Sequence, residues 1–433
     1  MTSEISRTGF LCLNHGCSKE INFIYLCVVW SFMARLNKFF ETFLTKETLF
    51  LDKKPLQANF TPEQIEHRDD YIDGIANILA PALRLEKPSN LFIYGKTGTG
   101  KTLAVRYTAD ELKQVARDKN IPLKIFYLNC KLKKVVDTEY RLIAQLARFF
   151  GKAIPATGLP TDEVYSAFYS ALDSEKQVVL LILDEIDQLV KRVGDEVVYN
   201  LTRINSELEQ AQLSIIGISN DLLFADNLEP RVKSSLSEEE LVFPPYNAVE
   251  LQGILKERSA VSFKEDVLEE GVIPKCAAYA AREHGDARRA LELLRVSGEI
   301  AERRNQTTVS IMNIDEAEEK LEKDRLHELV RTQPKQFQAT LYAIIDMSAD
   351  SDKIVFTGEV YDLYKDICKQ VSLRPLTQRR VSDIIAELDM LGIIHTRIIS
   401  KGRYGRTKQI SLSIPSSMLA KIKKLVSEDL GIS

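Results

Sequence analysis

From residue 91 to residue 243, short dense apolar runs alternate with longer stretches of helical periodicity. Residues 91–94, 124–130, 178–184, 213–219 and 240–243 read as five strands. Runs without polar alternation are buried on both faces, so the pattern predicts a parallel sheet with helices on each side. The second gap, residues 131–177, exceeds one crossover helix. It has room for two or three, separated by the turn formers Gly151, Pro155 and Gly158-Leu159-Pro160.

Upstream, residues 36–90 are mostly helical in pattern, and Thr61-Pro62-Glu63 predicts a helix start with proline in the first turn. From 247 to about 330 the chain reads as helical throughout, with apolar faces at Leu251, Ile254, Leu255 and at Ala290, Leu291, Leu293, Leu294. Thr332-Gln333-Pro334-Lys335 interrupts that pattern. Helices near 338–347, 357–370 and 375–391 follow, then β-like runs at 393–400 and 406–413. The expected division is an α/β unit over 33–245, an all-helical unit over 246–332 and a helix-and-ribbon unit over 333–433.

Composition changes this picture little. The chain has 433 residues, 45% hydrophobic and 28% charged, which excludes a mostly disordered chain, a collagen-like fibre and a multi-span membrane protein. The net charge of −4, from 58 basic and 62 acidic residues, excludes a uniformly basic nucleic-acid coat but leaves room for a local basic patch. Six cysteines without a CxxC pair do not make a disulfide scaffold, and they favour a reducing compartment.

The first 32 residues differ from the rest. They hold Cys12, Cys17, Cys27 and the lone Trp30. The apolar run 21–32 is too short to span a bilayer, which takes roughly twenty residues. A signal peptide would need more positive charge and a cleavage site. A metal site on Cys12, His15 and Cys17 lacks a fourth ligand. The expectation is a non-native or disordered extension, with translation beginning at Met33.

Two strings carry chemistry. Gly95-Lys96-Thr97-Gly98-Thr99-Gly100-Lys101-Thr102 is a full GxxxxGKT loop between an apolar strand and a helix predicted over 102–116. Its glycines let successive N–H groups from Gly98 to Leu103, with the helix N-terminus, surround phosphates. Lys101 neutralises β/γ charge, and the Thr102 hydroxyl binds Mg²⁺. About eighty residues on, the strand 178–184 ends in Asp184-Glu185. Asp184 would hold the cation through water and Glu185 would polarise the attacking water. Asn220, closing the fourth strand, reads either as a water-orienting group beside those carboxylates or as a turn residue. Arg288 in Gly285-Asp286-Ala287-Arg288 reads either as a γ-phosphate contact from a lid or as a solvated arginine.

In order, these elements resemble an AAA+ P-loop ATPase module with a helical lid. More narrowly, over roughly 35–430 the chain is similar to the archaeal initiator family related to origin recognition complex subunit one and the cell-division-cycle-six loader. Leu183-Asp184-Glu185-Ile186-Asp187, Ile218-Ser219-Asn220-Asp221, Glu229-Pro230-Arg231-Val232-Lys233-Ser234-Ser235-Leu236 and Phe243-Pro244-Pro245-Tyr246-Asn247-Ala248 carry the likeness. The resemblance implies that Tyr246 and Arg258 flank the nucleotide, and that Arg231 reaches a neighbouring subunit's ATP. It also implies a DNA-touching helical element after the second strand, where Lys131, Lys133 and Lys134 begin the insertion. Ser237 departs from the family's usual glycine.

Residues 336–412 read as three helices and a two-stranded ribbon, the order of a winged helix. Arg374, Arg379 and Arg380 lie at the N-terminal end of the third helix, where a recognition helix enters the major groove. Lys401, Arg403 and Arg406 lie in or beside the wing. Residues 374–408 hold eight Lys/Arg against three Asp/Glu, hence +5 on an acidic chain, as a phosphate-binding surface requires. Winged helices also bind proteins, so base reading does not follow automatically.

The expectation is therefore an ATP-dependent replication-origin binder with ATP/ADP and Mg²⁺ as cofactors and a slow, switch-like ATPase. Its partners would be double-stranded origin DNA, the replicative MCM helicase and other initiator subunits. It would be cytoplasmic and nucleoid-associated, with no membrane. The alternative is an ATP-responsive winged-helix transcription regulator; a clamp-loader-like ATPase does not account for the basic wing.

Overall fold

The computed structural model describes residues 47–58, 60–62, 65–131, 138–155, 158–236, 238–348, 355–400, 406–414 and 416–432. The N-terminal extension, Lys133, Lys134, Ser237, Lys401 and Arg403 lie outside these residues.

Five parallel strands form the first sheet: β1 (Leu91–Tyr94), β2 (Leu123–Asn129), β3 (Val178–Asp184), β4 (Gln212–Ser219) and β5 (Glu239–Val242), in the order β2-β3-β4-β1-β5. Interior strand β3 is buried at every position. Its Val178, Leu180 and Ile182 face one layer of the first core, with α1 (Asp69–Leu79) and α2 (Lys101–Asp118). Its Val179, Leu181 and Leu183 face the other, with α3 (Glu139–Phe149), α4 (Thr161–Leu172), α5 (Ile186–Val193), α6 (Glu196–Arg203) and α7 (Pro230–Leu236). Side chains alternate faces along a strand, so a strand covered on both sides has no polar position left.

A second core belongs to α8 (Ala248–Ser262), α9 (Val272–Arg282), α10 (Ala287–Arg303) and much of α11 (Ile311–Arg331). Leu49, Phe50 and Leu56 join it from the N-terminal side, and Phe50 bridges to Phe263. The third core holds α12 (Lys335–Met347), α13 (Thr357–Gln370), α14 (Gln378–Met390), α15 (Ser416–Leu430) and a sheet of order β6-β8-β7. In that sheet β6 is Val355–Phe356, β7 Ile394–Ser400 and β8 Arg406–Leu412, and the pairing is antiparallel. Leu326 and Val330, near the end of α11, pack into this third core. The class is an α/β P-loop ATPase fold with an all-helical lid and a C-terminal winged helix.

Several expectations need correction. Among the described residues no helix begins at Thr61-Pro62 and the first α-helix starts at Asp69; Thr61 and Pro62 line a cleft instead. The segment 263–271 is not helical, because it carries bridges to Phe50 and Val309. Arg374 precedes the third winged-helix helix rather than lying on it. The cap is Thr377, whose side chain accepts from the Arg380 N–H, so the helix opens at Gln378. Strand β6 and helix α15 are not anticipated by the sequence pattern as read.

Candidate functional site

A cleft of about 360 Å³ lies where the carboxyl ends of the parallel strands meet the helical lid. Its walls include Gly98–Leu103, Asp184, Glu185 and Asn220 from the sheet unit, and Tyr246, Arg258 and Arg288 from the lid side. Every cleft residue named from the sequence is thus brought together except Arg231. That arginine is on α7, ion-paired with Glu229 at 2.9 Å and 54% exposed, outside this cleft.

Gly98 and Gly100 have φ of +73° and +90°, a region that costs L-residues about 1–2 kcal/mol. The curl frees the loop N–H groups and opens α2 at Lys101. The Lys101 ammonium is buried and donates to the carbonyls of Gly95 and Lys96, both at 2.7 Å. Burial pushes its pKa down to about 8, against an opposing pull from Asp184.

Asp184 is buried and accepts three hydrogen bonds. The Thr102 hydroxyl donates to Oδ2 at 3.1 Å, the Tyr127 hydroxyl to the same oxygen at 2.6 Å, and the Glu185 N–H to Oδ1 at 3.0 Å. Burial, then the Asp184 hydrogen bond, pushes the Tyr127 phenol up to about 12. Glu185 adopts φ 56°, ψ 45°, a left-handed conformation that is strained for a side-chain-bearing residue. Its carboxylate is 3.8 Å from the Lys131 ammonium, so the first lysine of the insertion stands at the rim of the cleft. Asp187, also buried, accepts from the Ser219 hydroxyl at 3.2 Å. Asn220 follows directly and is exposed.

The lid closes on the loop through three groups. Asp286 caps α10 by accepting from the Arg288 and Arg289 N–H groups, while the Ala287 N–H donates to the Gly98 carbonyl at 3.2 Å. The Tyr246 hydroxyl lies so near Gly100 that a Cβ there would meet it at 2.6 Å. Arg258 is buried over the Phe60 ring, and its Nε has no hydrogen-bond partner among the described residues. Burial lowers its pKa. An orphaned cationic donor, a glycine-lined loop and a hydroxyl–carboxylate pair fit a bound polyanion with a hard divalent cation.

Arg68 escaped sequence reasoning. It is 2% exposed, donates from Nε to the Thr99 carbonyl at 3.0 Å and from Nη2 to the Pro244 carbonyl at 2.8 Å. Its guanidinium lies 3.7 Å over the Tyr246 ring. No local string marks an isolated arginine as buried.

In the C-terminal unit Arg374, Arg379 and Arg380 are all exposed; Arg380 has Asp383 at 3.6 Å. Arg406 opens β8, paired in register with Ser400. Arg397, exposed on β7, extends the basic surface and was not singled out from the sequence. Among the described residues no helix is long and apolar enough to cross a membrane.

Comparison with known proteins covers all three units. Family models match an AAA domain over residues 84–222, the Cdc6 AAA+ ATPase-type lid domain over 252–319 and the CDC6 C-terminal winged helix domain over 328–421. The ORC1-type DNA replication protein of Pyrococcus abyssi is 51% identical over 383 residues, covering 88% of this chain and 91% of that protein. ORC1-type DNA replication protein 1 of Methanosarcina mazei is 52% identical over 389 residues, 89% and 93% of the two chains. The solved structure of the Aeropyrum pernix ORC1 protein in complex with DNA superposes with a TM-score of 0.76 at 43% identity, covering 89% of this chain and 98% of that one.

Proposed function

Because the chain belongs to the ORC1-type family of DNA replication proteins, and so to replication initiation, we propose that it is an ATP-operated origin binder that helps recruit or load the MCM helicase. The observation that carries the nucleotide half is the convergence of Lys101, the Thr102–Asp184 pair, Tyr246, Arg258 and Arg288 on one cleft. In this reading the N–H groups of Gly98 to Leu103 and the α2 N-terminus take the phosphates, with Lys101 as the buried counter-charge. Tyr246 and Arg258 flank the nucleotide. Thr102 and Asp184 hold Mg²⁺, which supplies charge neutralisation for the β/γ phosphates. Glu185 and Asn220 orient water, and Arg288 reaches the γ-phosphate. Arg231, outside its own cleft, serves a neighbouring initiator subunit.

Hydrolysis in this scheme is a slow switch. The ligand contacts both the 33–245 unit and the 246–332 lid, so ATP and ADP favour different lid positions through differential contacts. The 333–433 unit binds duplex origin DNA through Arg374, Arg379, Arg380, Lys401, Arg403 and Arg406. The 43% identity to a protein solved with DNA supports that assignment. Genome-wide mapping of the bound DNA tests the reading: enrichment at replication origins is expected. Binding confined to promoters would replace it with a transcription regulator.

A further inference from the structure

The Asp184 carboxylate is held by one donor besides Thr102 and Glu185. Tyr127, two residues before the end of β2, is in register with Ile182 of β3. Its hydroxyl therefore reaches Asp184 across a strand pair, and the 2.6 Å contact is a charge-assisted hydrogen bond to Oδ2. The Thr102 hydroxyl donates to that same oxygen at 3.1 Å. One carboxylate oxygen thus organises two hydroxyls from different elements, Thr102 on α2 and Tyr127 on β2. The Glu185 N–H fixes the other oxygen at 3.0 Å. Together these three donors leave the carboxylate no free rotation about its last bond.

The Tyr127 ring has its own support. The Arg106 guanidinium, one helical turn after Thr102 on α2, lies 3.9 Å over it. Arg106 makes no ion pair among the described residues, and both it and Tyr127 line the cleft. The ring is held between the helix that begins at the phosphate loop and the strand beside Asp184. Any shift of Tyr127 would swing its hydroxyl, and with it the Asp184 oxygen that faces Thr102.

We propose that Tyr127, steadied by Arg106, is a positioning residue that presets the Asp184 carboxylate against the Thr102 hydroxyl for a divalent cation. The inference rests on the reading of the cleft as a Mg²⁺–nucleotide site. Tyr127 does not touch the cation or the phosphates; it acts through Asp184. Groups that orient a metal ligand by hydrogen bonding typically contribute about 10–100-fold to metal affinity.

The test is a fluorescent ATP analogue titrated into the full chain, with and without Mg²⁺, and Mn²⁺ binding followed by electron paramagnetic resonance. Tyr127→Phe removes one hydroxyl and keeps the ring under Arg106. The expected result is about a tenfold rise in the Mn²⁺ or Mg²⁺ concentration needed for half-maximal effect. Analogue binding in the absence of metal should stay at the wild-type value. Arg106→Leu, an exposed change with little bearing on folding, should shift the metal requirement in the same direction by about threefold. Equal metal dependence in wild type and Tyr127→Phe overturns the proposal. A loss of metal-free binding equal to the loss with metal also overturns it, since that marks a merely structural tyrosine. Absence of any metal effect in the wild-type protein overturns the underlying cleft reading and this inference with it.

Discussion

A methyl group on Gly98 would stand 1.8 Å from Oδ1 of Asp286, so the phosphate loop and the first turn of α10 meet backbone to carboxylate. The same carboxylate caps α10, and the adjoining Ala287 N–H donates to the Gly98 carbonyl. The lid is therefore docked on the very glycine whose φ of +73° shapes the loop.

Gly98→Ala should weaken nucleotide binding about tenfold or more, combining backbone strain of roughly 1–2 kcal/mol with expulsion of Asp286. The two sites are coupled. In an Asp286→Ala background the same substitution should cost clearly less, and a double-mutant cycle on chemical denaturation measures the difference. Strict additivity would show that the lid does not lean on Gly98.

Lys101→Ala should abolish ATP binding, and the wild-type protein should show a matching pH dependence. Burial lowers the pKa of Lys101 to about 8, while bound phosphates would raise it. Binding then takes up a proton above that pH, so affinity is full below about 8 and falls as pH rises, by up to about tenfold per unit. For stability the sign is opposite. Above about 8 the native lysine sheds its proton while the unfolded chain keeps one until near its ordinary 10.5, so this group's burial penalty is relieved as pH rises. Nucleotide titrations from about pH 7 to pH 9.5 should show the fall; a flat profile would mean that the lysine is not the counter-charge.

Glu185→Gln should retain ATP and stop turnover. The left-handed backbone at this position aims the side chain independently of its charge, so the amide occupies the same place without the base. Single-turnover hydrolysis with radiolabelled ATP reads the result. Turnover at the wild-type rate would assign the water to another group.

Arg68→Ala leaves the buried carbonyl of Thr99 and the part-buried carbonyl of Pro244 without this donor and removes the cation from the Tyr246 ring. The expected loss of stability is about 2–4 kcal/mol by urea denaturation. Arg68→Lys should recover only part of it, because an ammonium cannot reproduce the planar fork that spans two carbonyls. Full recovery by lysine would reduce the contact to simple charge.

Two arginine pairs separate positioning from reading at the C-terminal unit. Arg403 and Arg406 changed together to Ala should flatten the log–log salt slope of duplex binding by roughly two, similarly on specific and random DNA. Arg379→Ala or Arg380→Ala should cost about 1–3 kcal/mol on a preferred sequence and less on random DNA. An unchanged slope for the first pair would make the wing a solvated hairpin.

The five strands, the phosphate loop and the acidic end of β3 were legible because each is written in consecutive residues. An apolar run buried on both faces needs no partner to be recognised, and a GKT loop between strand and helix is a local device. Helix α15 was not read from the sequence, although Met418, Ile422, Val426 and Leu430 stand at helical spacing and all enter the third core. The Thr61-Pro62 start was misread because a capping pattern is only a local preference. Here the segment turns instead to line the cleft.

The contacts of Arg68 and Tyr127 were decided by tertiary structure alone. Arg68 reaches partners 31 and 176 positions away, and Tyr127 a carboxylate 57 positions away. An arginine in a polar segment is exposed by default, since burying a charge without a carboxylate partner is unfavourable. It is buried here only because the folded chain supplies two carbonyls and an aromatic face from distant positions. Periodicity and motif depend on residues a few positions apart. The electrostatic environment of a side chain depends on which distant residues the fold packs against it.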